Sequence, residues 1–246
     1  MATVPPLPRN LDAVFFDIGG TLIGPNLALL GTWLRAAGVA CDDAQIAAHE
    51  PYARRAQAEK RHTVLGTPRL RGLLVEELLK RLWADQPDDP ARLSSAVDRV
   101  IANALASGHV AVPAWNDVLP GVPEGLAALR GRGLRLVAVS NSDGSAESVL
   151  ESVGLRDAVD AVIDSHLVGF SKPDPRIFDA ARAVIGGVDA ARVVHVGDLY
   201  DADVLGAQAA GIAAVLIDPV GFWPDASCVR VDSCAAAIRL ITDGAA

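Results

Sequence analysis

The feature that most constrains the fold is an alternation of short aliphatic runs with helical segments in the C-terminal half of the chain. After Gly121 four strand-like runs occur, at 134–139, 159–163, 193–196 and 213–217. Helical patterns lie between them, at 124–130, 147–153, 175–184 and 202–210. Strands that are apolar along their whole length are typical of a parallel sheet covered by helices on both faces. An earlier run at 13–18 adds one more buried strand, so the sequence predicts an α/β fold.

The segment between Gly24 and Trp115 has a different texture. It lacks strand-like runs, carries more charge, and places leucines at helical spacing, namely Leu70, Leu73, Leu74, Leu78 and Leu82. Apolar residues repeating every three to four positions are typical of an amphipathic helix. We therefore expect an all-helical domain over residues 24–117, inserted into an α/β core domain formed by residues 1–23 and 118–246.

Charge and cysteine content exclude several classes of function. The formal net charge is -8, and no dense run of lysine and arginine offers a local exception, so nucleic acid and anionic membranes are not expected partners. No stretch reaches about 20 apolar residues, and the first residues lack the apolar region of a secretion signal. Cys41, Cys228 and Cys234 lack metal-ligand spacing and are typical of reduced thiols. We expect a cytoplasmic protein.

Polar residues follow the predicted strands at the positions where each strand ends. Asp17 follows the first strand, Ser140 and Asn141 follow another, and Asp198 with Asp203 follow a third. Ligands of open parallel sheets bind at the carboxyl ends of the strands, where such loops converge. Clustered carboxylates repel one another unless a cation lies between them, and hard oxygen ligands suit Mg²⁺. The sequence therefore predicts a magnesium site at this edge.

The same edge has the groups needed to bind and attack a phosphate. A carboxylate can act as nucleophile and form an aspartyl phosphate, while Mg²⁺ and Lys172 offset the charge on the phosphoryl oxygens. Thr21 and Ser140 can donate neutral hydrogen bonds. Each residue alone has an ordinary structural explanation, since aspartate favours turns and serine caps helices. Their shared placement at successive strand ends favours the functional interpretation.

Four segments of the chain, at 15–22, 139–144, 169–178 and 195–203, resemble the four signature motifs of the haloacid dehalogenase (HAD) superfamily of hydrolases, in the same order. The likeness is to the phosphatase-like type with a helical cap, and it covers about residues 10–23 and 118–220. It implies a Rossmann-like parallel sheet core with the cap inserted between the first two motifs. These motifs are specific for the superfamily and only weakly specific for the substrate.

The resemblance also implies roles for individual residues. Asp17 is expected to be the nucleophile and a metal ligand, with Asp198 as a second ligand and the backbone carbonyl of Gly19 as a third. Asp203 is expected to support Lys172 or the water molecules on the metal, and it is the fourth residue of the expected metal site. The expected phosphate contacts and catalytic helpers are Gly20, Thr21, Ser140, Asn141 and Lys172. We expect a small phosphorylated metabolite as substrate and a monomer or homodimer.

One position departs from the family pattern. Phosphatases of the superfamily usually carry a second aspartate two residues after the nucleophile, as general acid and base, and Gly19 stands there in this chain. General acid and base catalysis contributes about 10² to 10⁴ in rate. We therefore expect an enzyme that is slow, prefers good leaving groups, or takes its acid and base from the cap. Candidates in the cap are His49, Glu50, Lys60 and His62.

Three alternatives stay open at this point. Phosphonatase-like members also lack the second aspartate and use a cap lysine as a Schiff base, a role for which Lys60 is the candidate. Dehalogenases of 2-haloacids attack carbon without magnesium, although the acidic cluster at 198–203 disfavours them. A HAD fold that binds metal or a partner without turnover is the third, disfavoured because Asp17, Ser140, Lys172 and Asp198 are all present.

Overall fold

The computed structural model of the chain describes residues 6–64, 72–86, 89–109 and 114–244. The chain forms two compact units, one made of Met1–Gly24 with Asn116–Ala246 and the other of Pro25–Trp115. Two short strands, β2 (Ile23–Pro25) and β3 (Trp115–Val118), pair with each other where the chain passes from one unit to the other.

The inserted unit is helical over its described residues. Its helices are α1 (Leu27–Ala36), α2 (Asp43–Val64), α3 (Leu73–Leu82) and α4 (Pro90–Ala106). The Asn26 side chain accepts the Leu29 N–H at 2.9 Å and the Asp89 side chain accepts the Arg92 N–H at 3.0 Å, so α1 and α4 begin with side-chain caps. Leucines of the predicted series at 73, 74 and 78 are buried in the core of this unit, whereas Leu70 lies outside the described residues.

The core unit is built on a six-stranded parallel sheet. Its strands are β1 (Ala13–Phe16), β4 (Arg135–Ser140), β5 (Ala161–Asp164), β6 (Val193–Gly197), β7 (Ala213–Ile217) and β8 (Val229–Val231). Their order is β5-β4-β1-β6-β7-β8, and each neighbouring pair is parallel. Phe15 of the central strand lies beside Val137 on one side and His195 on the other. The predicted α/β fold, a Rossmann-like parallel sheet with a helical insertion, is confirmed.

Helices follow most strands of this unit. They are α5 (Val122–Gly131), α6 (Ala146–Ser152), α7 (Ser165–Val168), α8 (Pro175–Val184), α9 (Gly206–Ala209) and α10 (Cys234–Gly244). Helix α8 begins where predicted, because the Asp174 side chain accepts the Arg176 N–H at 3.0 Å and Pro175 occupies the first turn.

The single helix predicted over 202–210 is wrong in detail. A π-helical turn at Tyr200–Leu205 precedes α9. Within it, the Leu199 N–H donates to Asp203 Oδ2 at 2.9 Å, and the Asp203 N–H donates to the Leu199 carbonyl at 2.7 Å. These bonds hold the Asp203 side chain back toward the end of β6, and π-helical turns of this kind are frequent at functional sites.

Candidate active site

The central position of β1 places Asp17 at the point where the sheet order divides. One neighbour of β1 is β4, which ends at Ser140, and the other is β6, which Asp198 follows. The Asp17 N–H donates to the Val196 carbonyl at 2.9 Å, which continues the strand pairing into the loop after β1. A parallel sheet opens a crevice at such a point, at the carboxyl ends of its strands. The predicted meeting of these loops is therefore found within one unit of the structure.

Lys172 connects three of these strand ends. Its ammonium Nζ lies 2.5 Å from Asp17 Oδ1, 2.7 Å from Asp203 Oδ1 and 2.8 Å from the Val139 carbonyl oxygen. The residue is 5% exposed. Because an ammonium has three hydrogens, these three acceptors use its full donor capacity and fix its position.

The loop that carries Lys172 is itself held by a side-chain amide. Asn141 donates from Nδ2 to the Lys172 carbonyl at 2.8 Å, and its Oδ1 accepts the Lys172 N–H at 2.7 Å. A Cβ on Gly206 would lie 2.8 Å from Pro173 Cα, so only glycine lets this loop pack so closely against α9. In the structure Asn141 therefore positions Lys172.

Asp203 is enclosed by donors on both carboxylate oxygens. Oδ1 accepts from Lys172 Nζ and from His195 Nε2, the latter at 2.9 Å, and Oδ2 accepts the Leu199 N–H. A Cβ on Gly197 would lie 2.2 Å from Asp203 Cγ, so the carboxylate rests against bare backbone at the end of β6. Burial opposes ionisation, but the charge of Lys172 and the hydrogen bond from His195 hold the pKa of Asp203 well below its usual range.

The other two ionisable groups respond to the same arrangement. Burial and the nearby Asp203 charge raise the pKa of Asp17, although Lys172 acts in the opposite direction. Burial opposes the charge on Lys172, yet Asp17 and Asp203 together raise the pKa of its ammonium above the ordinary value. One ammonium thus compensates one carboxylate well and leaves the second short of positive charge.

The carboxylates form a group that can hold a metal ion. Asp17, Asp198 and Asp203 each offer an oxygen, and these oxygens lie within 4.8 Å of one another. Three carboxylates so close together repel one another, and a divalent cation between them would relieve that repulsion. Oxygen donors suit hard cations. Since both oxygens of Asp203 already accept from protein donors, Asp17 and Asp198 are the better placed direct ligands.

The remaining predicted core residues lie in the same loops. Gly20 adopts φ 85°, a left-handed conformation that favours glycine, and its N–H donates to the Ile23 carbonyl at 2.7 Å. Gly19 lies beside it and bridges to Ile23. Thr21 is fully buried, and its Oγ1 has no hydrogen-bond partner among the described residues. Ser140 is half-buried at the end of β4.

Two of the four acid and base candidates of the helical unit, Glu50 and Lys60, form ion pairs. Glu50 is 6% exposed, with its Oε1 3.0 Å from Arg54 Nε, and burial raises the pKa of its carboxyl although Arg54 opposes this. Lys60 Nζ lies 2.9 Å from Glu77 Oε1. His49 is half-buried, and the side chain of His62 lies outside the described residues.

Two contributors to the site were missed in the sequence. Asp164 accepts the N–H groups of Gly144, Ala146 and His166, which orders the loop after β4. His195 is a fully buried imidazole bonded to Asp203. A polar residue between valines in an apolar strand was a usable signal for His195, because buried polar groups need partners.

The sequence matches the haloacid dehalogenase-like hydrolase family over residues 11–211. The chain belongs to this family of hydrolases, as the order of its motifs suggested. In addition, no helix in the described part of the chain is long and apolar enough to span a bilayer.

Individual relatives agree with this assignment. The chain is similar to haloacid dehalogenase-like hydrolase domain-containing protein 3 of Mus musculus, with 36% identity over 202 residues that cover 80% of this chain and 75% of the mouse protein. It is also similar to the pyrimidine 5'-nucleotidase YjjG of Escherichia coli, with 35% identity over 133 residues, 53% of this chain and 54% of that protein. Several curated relatives, YjjG among them, are matched over only about half of their own length.

The fold is also shared with solved structures. The HAD-hydrolase YfnB of Bacillus subtilis, whose crystal structure is bound to magnesium, superposes with a TM-score of 0.62. The match covers 94% of this chain and 99% of YfnB at 15% identity, which shows a common fold and nothing narrower.

We predict that Lys172→Met destabilises the protein by about 3–5 kcal/mol at pH 7, because it leaves two buried carboxylates without their ammonium. In the native protein the lowered pKa of Asp203 stabilises the fold at pH values above about 3.9, which is the pKa of an aspartate in the unfolded chain. That contribution is lost as the pH falls through the lower folded pKa. In the variant, Asp203 binds protons at higher pH than in the native protein. The difference in free energy of unfolding between the native protein and the variant should therefore narrow as the pH falls from 7 toward 4. Urea unfolding of both proteins at several pH values measures this difference.

The matched control is Arg35→Met, which removes a cation that is 43% exposed and paired with the exposed Asp43 at 2.9 Å. Exposed ion pairs contribute about 0–1 kcal/mol, so this variant should unfold close to the native midpoint at each pH. If the loss of unfolding free energy in Lys172→Met stays constant or widens as the pH falls, the charges assigned to Lys172 and Asp203 are contradicted.

Proposed function

We propose that the chain is a Mg²⁺-dependent phosphatase that hydrolyses small phosphorylated metabolites through an aspartyl phosphate on Asp17. The observation that carries this proposal is the buried Lys172 ammonium, held 2.5 Å from Asp17 beside a three-carboxylate group at the strand ends. The name of the Escherichia coli relative, a pyrimidine 5'-nucleotidase, supports phosphate-ester chemistry in this part of the family.

The proposed reaction has two displacements at phosphorus. An Asp17 carboxylate oxygen attacks the phosphoryl group, and the bond to the leaving group breaks with its electron pair on the departing oxygen. Water then attacks the same phosphorus, the bond to Asp17 breaks, and the carboxylate and inorganic phosphate are released. Each displacement places negative charge on the phosphoryl oxygens, and the Lys172 ammonium, held beside Asp17, would stabilise that charge through its electrostatic field.

The metal would supply charge neutralisation on those oxygens and orientation of the phosphoryl group, held by Asp17, Asp198 and the backbone carbonyl of Gly19. The chain's own residues keep the remaining parts in place. Asn141 holds the Lys172 loop through its two hydrogen bonds, and Asp203 holds the Lys172 side chain. Ser140 and Thr21 have hydroxyls to donate to phosphoryl oxygens, and the Thr21 hydroxyl bonds to no described residue.

Gly19 shapes which esters react well. Glycine cannot protonate a departing alkoxide, whereas the carboxylate of an acyl phosphate, or a phenolate, leaves as a weak base without help. We therefore propose acyl phosphates, and phosphate esters with good leaving groups, as the preferred substrates. The matched relatives name other phosphate esters, so the preference rests on this chain's own residue at position 19.

The other mechanisms find less support. A Schiff base on Lys60 requires an amine available to attack a carbonyl, but Lys60 Nζ is engaged in an ion pair with Glu77 at 2.9 Å. Displacement of halide from carbon needs no divalent cation, whereas the three clustered carboxylates favour one. Chloride release from a 2-haloacid without added metal would support that alternative.

We predict that Asp17→Asn lowers kcat on acetyl phosphate by at least about 10³-fold, because an amide oxygen is a poor nucleophile and a poor metal ligand. Steady-state phosphate release with MgCl₂ measures the change. Asp179→Asn, at an exposed aspartate paired with Arg182, is the matched control and should keep native activity. An Asp17→Asn protein that turns over at the native rate eliminates the proposed nucleophile.

We predict that Gly19→Asp accelerates hydrolysis of an alkyl ester such as glycerol phosphate by about 10-fold or more, and acetyl phosphate much less, because only the alkoxide needs a proton. Gly19 is outside the left-handed region that Gly20 occupies, so a side chain there adds no backbone strain. Gly19→Asn has the same size without the acid and should not accelerate either substrate. Equal rates for the Asp and Asn variants on glycerol phosphate would show that the missing acid does not limit turnover.

A further inference from the structure

His195 is a polar residue in the middle of an apolar strand, and the proposed reaction does not use it directly. It is fully buried in β6, and the ring of Phe178 packs edge-on against the imidazole with centroids 5.0 Å apart. Its Nε2 lies 2.9 Å from Asp203 Oδ1, and its Nδ1 has no hydrogen-bond partner among the described residues. A core position of this kind is usually filled by an aliphatic side chain, so the polar ring needs a reason.

The hydrogen-bond geometry defines which atom of the ring acts. An ionised carboxylate only accepts hydrogen bonds, so the hydrogen in the contact with Asp203 is on Nε2 of His195. Nδ1 is buried and has no hydrogen-bond partner among the described residues. The contribution of His195 is therefore one directional hydrogen bond from Nε2 to Asp203.

The effect of that bond reaches Asp17 through Lys172. Asp203 Oδ1 is shared between His195 at 2.9 Å and Lys172 at 2.7 Å, and Lys172 in turn lies 2.5 Å from Asp17. The place of the ammonium between the two carboxylates depends on how strongly each one attracts it. Because His195 occupies part of the acceptor capacity of Asp203, it weakens the pull of Asp203 and fixes its direction.

We infer that His195 is a positioning residue that keeps the Lys172 ammonium between Asp203 and Asp17, and so available to the phosphoryl group transferred to Asp17. The kinetic part of this inference rests on the proposed phosphatase function. Without the His195 bond, Asp203 Oδ1 attracts Lys172 more strongly, the ammonium moves away from Asp17, and Asp17 is left more open to a cation.

Two variants separate positioning from packing. His195→Leu fills a similar volume without a donor, whereas His195→Gln places an amide N–H near the position of Nε2. We expect His195→Leu to lower kcat on acetyl phosphate by about 10-fold, which is within the range for residues that hydrogen-bond to the side chains of a metal site. KM should change by less than about 2-fold. His195→Gln should recover kcat to within about 3-fold of the native value.

A second readout does not depend on turnover. Calorimetric titration with MgCl₂, without substrate, should show tighter Mg²⁺ binding by His195→Leu than by the native protein, because the competing ammonium has moved from Asp17. His195→Gln should bind Mg²⁺ with native affinity. A packing defect predicts the reverse, since a loosened site binds the ion more weakly.

Three results overturn the inference: a native kcat in His195→Leu, a His195→Gln variant as slow as His195→Leu, or weaker Mg²⁺ binding by His195→Leu. If the native protein hydrolyses no phosphate ester or acyl phosphate, the proposed function fails, and the Mg²⁺ titration still decides the role of His195. If the variants do not fold, nitrogen NMR of the native protein with labelled histidine decides it. A slowly exchanging hydrogen on Nε2 supports the inference, and a ring hydrogen only on Nδ1 refutes it.

Discussion

The whole site depends on one buried ammonium. Lys172 lies between Asp17 and Asp203 and also donates to the Val139 carbonyl, so three distant parts of the chain meet at a single nitrogen. Removing a lysine from water is costly, and the cost is offset only when its acceptors are already in place. The sheet provides this, because β1, β4 and β6 are neighbours and end at the same edge. The central strands of the fold are thus also the scaffold for the charge arrangement.

Two glycines near Lys172 let backbone and side chains of the site pack closely against one another. Gly197 lets the Asp203 carboxylate rest on bare backbone, and Gly206 lets the Lys172 loop pack against the next helix. Asn141 and Asp164 hold the loops through hydrogen bonds to backbone groups. Rigid support of this kind fixes reacting groups before a ligand arrives, which is the property that electrostatic catalysis requires.

Much of this organisation could be predicted from the sequence, and the limits have physical causes. Aliphatic runs predicted β7 with its observed bounds, and the helical pattern at 175–184 predicted α8 with its observed bounds, because both signals are local. Strands of three or four residues such as β2 and β8 have too few positions to show a pattern. The roles of residues at the site remain predictions from the motifs, and the structure adds their distances.

What could not be predicted depends on contacts between residues far apart in the chain. Asn141 carried a helix-capping or substrate-binding interpretation, yet its amide bonds the backbone of Lys172, 31 residues away. The π-helical turn at Tyr200–Leu205 follows from the return of Asp203 to the end of β6. His195 was visible only as part of a motif, since its partner is determined by how the strand and that turn face each other.

At Gly19 the chain lacks the second aspartate that phosphatases of the family usually carry, although the charged residues of the site are retained. A glycine keeps the backbone carbonyl that a cation would use, but it removes a proton donor. In the proposed mechanism, bond formation at phosphorus would keep its electrostatic support, and departure of a basic leaving group would lack a proton donor.

Direct trapping of the covalent intermediate tests the central claim. The protein would be mixed with acetyl phosphate and MgCl₂, quenched in acid during turnover, reduced with borohydride and digested for mass spectrometry. We expect the residue at position 17 alone to be converted to homoserine, which marks an aspartyl phosphate on Asp17. Turnover that continues with Asp17 unmodified, or a label on another residue, would contradict it.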